Sequence, residues 1–171
     1  VVSGRHAARL KIVNGRFVEV GQPHVFYLND GKGVFTAVAW NGGTFLKEDG
    51  APLRFAPPDM GLSAMFRDAN GDNAPDLYVC NDFHSPDRFW INNGNGAFRL
   101  IDPLAIRTSC HFSMGVDFAD IDRDGRDDFI VCDMLSRIHE LRMRQMTATN
   151  PHPDEVGEIQ DRPQVRRNTL Y

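Results

Sequence analysis

Residues 120–128 read Asp-Ile-Asp-Arg-Asp-Gly-Arg-Asp-Asp (DIDRDGRDD), five carboxylates and two guanidiniums in nine positions. Like charges at that density repel one another unless something of opposite sign stands among them. Residues 68–76 show that the stretch is not an isolated accident. Asp68-Ala-Asn70-Gly-Asp72-Asn-Ala-Pro-Asp76 carries oxygen-bearing side chains at loop positions 1, 3, 5 and 9. Asp120, Asp122, Asp124 and Asp128 hold the same four positions 52 residues further on. The flanks repeat as well: Phe66 aligns with Phe118, and Leu77-Tyr78-Val79-Cys80 with Phe129-Ile130-Val131-Cys132. Two such loops in register, with matching apolar flanks, mark an internal repeat.

The spacing suits a hard cation. Calcium takes about six to eight oxygen ligands, and a tightly turned loop can point alternate side chains at one centre. Magnesium keeps more of its waters and suits the pattern less well. The expected side-chain ligands are Asp68, Asn70, Asp72 and Asp76 in one loop and Asp120, Asp122, Asp124 and Asp128 in the other. Ala74 and Arg126, at position 7, would add main-chain carbonyls. Position 6 must turn sharply, which Gly125 does freely and Asn73 tolerates. Two bound Ca²⁺ would bring the formal net charge from −4 to 0. Asp127 aligns with Pro75 and is expected at the surface. An EF-hand is excluded, because position 12 is Val79 or Val131 where that motif needs Glu. The apolar, aromatic or β-branched runs that follow the loops read as strands buried on both faces.

A second repeat interleaves with the first. Asn29-Asp-Gly-Lys-Gly-Val-Phe35 matches Asn92-Asn-Gly-Asn-Gly-Ala-Phe98, 63 residues on. Each follows an aromatic-rich run, Phe26-Tyr27-Leu28 and Phe89-Trp90-Ile91. Glycine-rich turns between such runs predict hairpins. A phosphate cradle would need a helix next, whereas Phe35 and Phe98 continue as strand. A further hairpin is predicted over Leu10–Val20, turning at Asn14-Gly15, and Leu170-Tyr171 opens a third aromatic strand. Strand, acidic loop, buried strand and hairpin make a four-stranded unit. Such units recurring about every 50–60 residues predict an all-β fold built as a β-propeller. Gly61, Ser63, Ala64, Ser113 and Gly115, at the start of the units, suit a strand crowded near a central axis.

The segments FADIDRDGRDDFIVCDM and NNGNGAF resemble FG-GAP/VCBS repeats, as found in integrin α-subunit propellers. DLYVCNDFHSPDRFWINNGNGAF followed by SMGVDFADIDRDGRDDFIVCDM resembles more narrowly the ASPIC/UnbV (cartilage acidic protein-like) group. The resemblance covers residues 24–135 and 167–171, and it implies calcium in both loops. It also implies a secreted, extracellular or periplasmic setting, where calcium is abundant enough for such loops. A closed propeller needs about four to eight blades. The expected organisation is therefore partial: an incomplete first blade with hairpins over 1–59, a complete blade over 60–108, and a second over 109–171, truncated at its C-terminus. The remaining blades of a parent chain would be partners, together with a protein or glycan ligand.

The second unit carries an insertion near 134–165. A helix is expected over Ser136–Met146, with an apolar face of Leu135, Ile138 and Met146, and a Pro- and acid-rich loop over 147–163. Two readings stand open, an exposed partner-binding insertion and a helix packed across the face of the propeller.

Composition narrows function from the other side. The 171 residues are 42% apolar and 25% charged, ordinary for a globular chain with a core. A net charge of −4 gives no bulk attraction for nucleic acid. No apolar run approaches the roughly 18 residues of a membrane span. Cys80, Cys110 and Cys132 lack metal-site spacing and read as buried free thiols. An alternative reading makes the chain part of a secreted hydrolase or lyase with its active site on the central face, and His84 and His111 are the residues that invite it. No G-x-S-x-G pattern accompanies them.

Overall fold

Apolar runs broken by Asn- and Gly-rich turns fold into short strands joined by tight loops. The structure, a computed structural model, describes residues 10–13, 16–19, 23–83, 85–102, 105–106, 108–149 and 164–171. The strands β1 (Leu10–Val13) and β2 (Arg16–Glu19) pair antiparallel, as do β3 (Tyr27–Asn29) and β4 (Phe35–Ala37). A 3-10 turn at Trp40–Gly42 leads to β5 (Phe45–Leu46), β6 (Gly61–Arg67), β7 (Asp76–Asn81), β8 (Arg88–Asn92) and β9 (Phe98–Leu100). These five form the central sheet, in the order β5-β9-β8-β7-β6. The chain continues through β10 (Ser109–Cys110), β11 (Ser113–Ala119), β12 (Asp128–Asp133), the helix α1 (His139–Thr149), β13 (Gln164–Val165) and β14 (Thr169–Leu170). Strands β11, β12 and β14 make a three-stranded sheet, and β10 pairs parallel with β13. The fold is mostly β, and no described sheet closes on itself.

The predicted four-stranded unit is β6 to β9. Sequence reasoning missed its fifth strand, β5, which pairs parallel with β9 through Phe45 and Phe98. The second sheet reproduces the first three strands of the unit. Its register slips between Ser113 and Gly115 where that of the first slips between Gly61 and Ser63. The two first strands lie close to one another, with Ser113 buried between the sheets.

The central sheet is covered on both faces. Leu77, Val79, Trp90, Phe98 and Leu100 form one core with Phe45, under Phe26, Trp40 and Leu53. Tyr78, Cys80 and Phe89 on the opposite face meet Phe118, Phe129 and Val131 of the second repeat. Ring contacts at Trp40–Phe45 (4.2 Å) and Tyr78–Phe129 (5.3 Å) tie the layers together. The expectation of burial on both faces holds for β7 and fails for β12. There Phe129 and Val131 are buried, while Ile130 is 37% exposed and Cys132 faces outward. Cys132 is therefore not the buried thiol that its repeat mate Cys80 is.

At the end of the strands away from the acidic loops, the nearly inaccessible Asp87 carboxylate gathers three donors. Tyr78 Oη donates to it at 2.8 Å, Ser113 Oγ at 2.7 Å and the Asn81 N–H at 2.8 Å. In the second repeat the Asp133 N–H donates to Asn168 Oδ1 at 2.8 Å. Asp133 stands where Asn81 does, and Asn168 where Asp87 does. The insertion therefore occupies 134–167, where the first repeat has only 82–86. Helix α1 begins at His139 and not at Ser136, because the Ser136 hydroxyl accepts the Ile138 N–H in a local turn. The side chains of Arg142 and Gln145 then reach back to the Ser136 backbone. Of the expected apolar face Leu135 is buried and Ile138 is exposed, as are Leu141 and Met143 on the helix. Residues 147–149 of the expected loop are helical, and 150–163 lie outside the described residues.

Asp87→Ala strips an acceptor from three buried donors and is expected to cost about 3 kcal/mol or more, against about 1 kcal/mol for Ser113→Ala, measured by urea unfolding. Burial pushes the Cys110 thiol up to about 12 and raises that of Cys80 further. A thiol reagent at about pH 8 should therefore modify Cys132 alone in the folded chain.

Candidate metal centre

Both acidic loops connect the first two strands of a repeat, and the ladder closes at equivalent pairs, Arg67↔Asp76 and Ala119↔Asp128. Inside them five hydrogen bonds recur at the same positions, and the first loop adds a Gly71 N–H to Asp68 Oδ1 bond at 2.9 Å. Asp68 Oδ1 and Oδ2 accept the N–H groups of Asp72 (3.0 Å) and Asn73 (2.8 Å); Asp120 does the same for Asp124 (3.0 Å) and Gly125 (3.0 Å). The position 3 side chains, Asn70 and Asp122, accept the same position 5 N–H at 3.0 and 3.1 Å. The position 5 carboxylates, Asp72 and Asp124, accept the N–H of Ala74 (2.8 Å) and Arg126 (2.9 Å). The position 9 carboxylates, Asp76 and Asp128, accept the position 2 N–H of Ala69 (3.0 Å) and Ile121 (3.1 Å).

This wrapping needs a left-handed residue twice. Position 6 takes it as expected, with φ of 67° at Asn73 and 86° at Gly125. Position 4 takes it too, at Gly71 (79°) and Arg123 (66°). Each loop thus has glycine at one of the two left-handed positions and a larger residue at the other. Sequence reasoning missed position 4 because Arg123 disguises it.

In the second loop, Asp120, Asp122 and Asp124 can each bring one carboxylate oxygen within 4.8 Å of the others. Asp128 is not in that group and is half-buried at the base of the loop. In the first loop Asn70 Nδ2 donates to Asp72 Oδ2 at 2.9 Å, so an amide hydrogen bond stands where the second loop has two like charges. Asp76 is buried and also accepts the Asn92 N–H at 2.8 Å. Its carboxyl is raised above the ordinary range, chiefly by burial, with the charges of Asp72 and Asp68 adding to it and the two backbone donors opposing it.

Two participants were not foreseen. Asn92 opens the second glycine-rich hairpin and donates Nδ2 to Pro75 O at 3.1 Å, which docks that hairpin on the first loop. Arg67 pairs with both oxygens of Asp127 at the surface, a partner that the alignment of Asp127 with Pro75 did not suggest. The pair joins the foot of the first loop to the end of the second and holds the Asp127 carboxyl below its ordinary range. The histidines stand apart from this chemistry. His111 is buried with its ring 4.4 Å from Phe112, and His84 lies outside the described residues.

A family model described as FG-GAP-like repeat matches residues 68–131. That span runs from the first residue of one acidic loop to the strand after the other. An FG-GAP-like repeat is thus present in the chain. No curated protein and no solved structure matches it.

Gly125→Ala should cost about 1–2 kcal/mol, the ordinary penalty of a left-handed side chain. Arg123→Gly relieves the same strain and should gain up to about 1 kcal/mol, reduced by the greater freedom of glycine in the unfolded chain. Urea unfolding of both variants without divalent cations measures the difference.

Proposed function

We propose that the chain is a calcium-stabilised repeat module of β-propeller type, with a binding or scaffolding role toward a protein or glycan. The observation that carries this reading is the coincidence of the two loops, position by position, in a segment matched as an FG-GAP-like repeat. Asp120, Asp122, Asp124 and Asp128, with the Arg126 carbonyl, would hold one ion. Asp68, Asn70, Asp72 and Asp76, with the Ala74 carbonyl, would hold the other, more weakly, because Asn70 brings no charge. The ion supplies positive charge to crowded carboxylates and pins each loop to its strands. The stacked sheets, with small residues where the first strands approach, support a propeller arrangement. The narrower resemblance to the ASPIC/UnbV group and a secreted, extracellular or periplasmic setting belong to the same proposal. Among the described residues, no helix is long and apolar enough to cross a membrane.

Calorimetric titration with calcium, paired with thermal melts in calcium and in chelator, tests the reading. Two binding events are expected, and calcium at 100 times its Kd should stabilise by about 2.7 kcal/mol per site. Asp124→Asn should remove the tighter event, and Asn70→Asp should strengthen the weaker one. Absence of both heat and melting shift would refute the proposal. The pH dependence gives an independent check. Folded Asp76 keeps its proton at a pH where the unfolded chain has released it, so in chelator its contribution to stability declines as pH rises above the ordinary carboxylate value. Calcium should abolish that decline.

A further inference from the structure

An ion pair bridges the two acidic loops, and each partner stands beside residues proposed to hold an ion in its own loop. Arg67 is the last residue of β6. It precedes Asp68, position 1 of the first loop, and pairs in register with Asp76, position 9. Asp127 is position 8 of the second loop, between Arg126 and Asp128 at positions 7 and 9. Arg67 Nη2 donates to Asp127 Oδ1 at 2.9 Å, and Nε donates to Oδ2. Two parallel bonds fix the direction of the guanidinium as well as its distance, which a single contact does not.

Within each loop the wrapping bonds are made by that loop's own carboxylates. Asp68 accepts the N–H groups of Gly71, Asp72 and Asn73, so the wrap of the first loop follows from where Asp68 is held, one residue beyond Arg67. Asp128 accepts the Ile121 N–H, which closes the second loop at the residue next to Asp127. Loosening either loop therefore moves one partner of the pair and breaks both of its bonds together. The strands that enter the loops, β6 and β11, lie close to one another, so the bridge joins two strand ends that are already fixed. Charge acts in the same sense. The Arg67 guanidinium also stands in the field of Asp68 and Asp117. Asp68, once engaged by a cation, no longer competes with Asp127 for Arg67. Asp127, once Arg126 and Asp128 are engaged, is held in place to receive it.

We infer that the Arg67–Asp127 pair couples the two loops, so that order, or an ion, in either one stabilises the other. The coupling is reciprocal by thermodynamic necessity. Its size is that of one well-aligned surface ion pair, about threefold in affinity. Direct repulsion between two bound ions opposes it and is screened beyond about 8 Å at physiological ionic strength, where the coupling is to be measured. The ion half of the inference rests on the reading of the loops as calcium sites; the linkage between the loops does not.

Asp127→Asn and Arg67→Gln each break the pair by changing a single surface side chain. Amide exchange in chelator reads the linkage, each variant being observed in the loop it does not touch. Asp127→Asn should speed exchange severalfold at the Asp72 and Asn73 N–H groups, and Arg67→Gln should do the same at Asp124 and Gly125. Calcium titration reads the coupling. Asp124→Asn disables the second loop, and the first-loop Kd should then rise about threefold over its wild-type value. In either pair variant, adding Asp124→Asn should leave the first-loop Kd unchanged. The two variants shift local charge in opposite senses. Arg67→Gln favours a cation in the first loop and Asp127→Asn disfavours one in the second, so a shared loss of coupling reports the pair itself. Exchange that is unchanged in the opposite loop, or a first-loop Kd that depends on Asp124 as strongly without the pair as with it, would overturn the inference. Responsive exchange with no calcium heat would defeat the calcium reading and leave the linkage standing. Two calcium events that ignore each other, with exchange unchanged, would do the reverse.

Discussion

Strand β7 is buried along its whole length, and the rest of the structure is arranged around covering it. A strand with apolar side chains on both faces cannot be served by one hydrophobic layer. Leu77 and Val79 require a cover on one side, and Tyr78 and Cys80 on the other. The first is supplied by Phe26, Trp40 and Phe45, which come from well upstream, and the second by the next repeat. The layers are therefore mutually dependent, and no repeat is a complete core by itself. This is the general condition of repeat architectures, where a unit buries its faces only against its neighbours.

Against that background the acidic loops occupy a peripheral but exposed position. Each joins the two strands that pack most closely, and each is wrapped by its own side chains onto its own backbone. The wrapping satisfies N–H groups that a nine-residue turn would otherwise leave to solvent. It also gathers carboxylates that repel. The first loop relieves the repulsion with an amide at Asn70, while the second keeps its three converging charges. The Arg67–Asp127 pair spans the two loops, so charge relief is shared across the repeat boundary.

Much of this was legible in the sequence because it follows from local rules. The 52- and 63-residue periods located the strands, the hairpins and the loop positions, and left-handed Asn73 followed from the tolerance of Asn for that region. What stayed hidden depends on residues distant in sequence. Phe45-Leu46 is too short to announce a strand and is recruited only by β9. Whether Cys132 is buried depends on what stands beyond Ile130, which the run itself does not encode. Asp127 found its partner 60 residues away in Arg67. The insertion was located by its length, but the start of its helix was set by a Ser136 turn that composition does not reveal.

The paired positions 81/87 and 133/168 carry a further implication. The bond that ties the end of the second strand to the start of the third needs only a side-chain oxygen, and Asp87 or Asn168 provides one equally well. Asn and Asp have traded places between the repeats, so the geometry has been kept while the formal charge has moved to the opposite partner. The two units are therefore not interchangeable parts. Copying Asp87 into position 168 would set two carboxylates against each other at Asp133, and copying Asn168 into position 87 would deprive Tyr78 and Ser113 of the anion they share. The exchange gives the stack a direction, with the charge on the third strand in one repeat and on the second strand in the other.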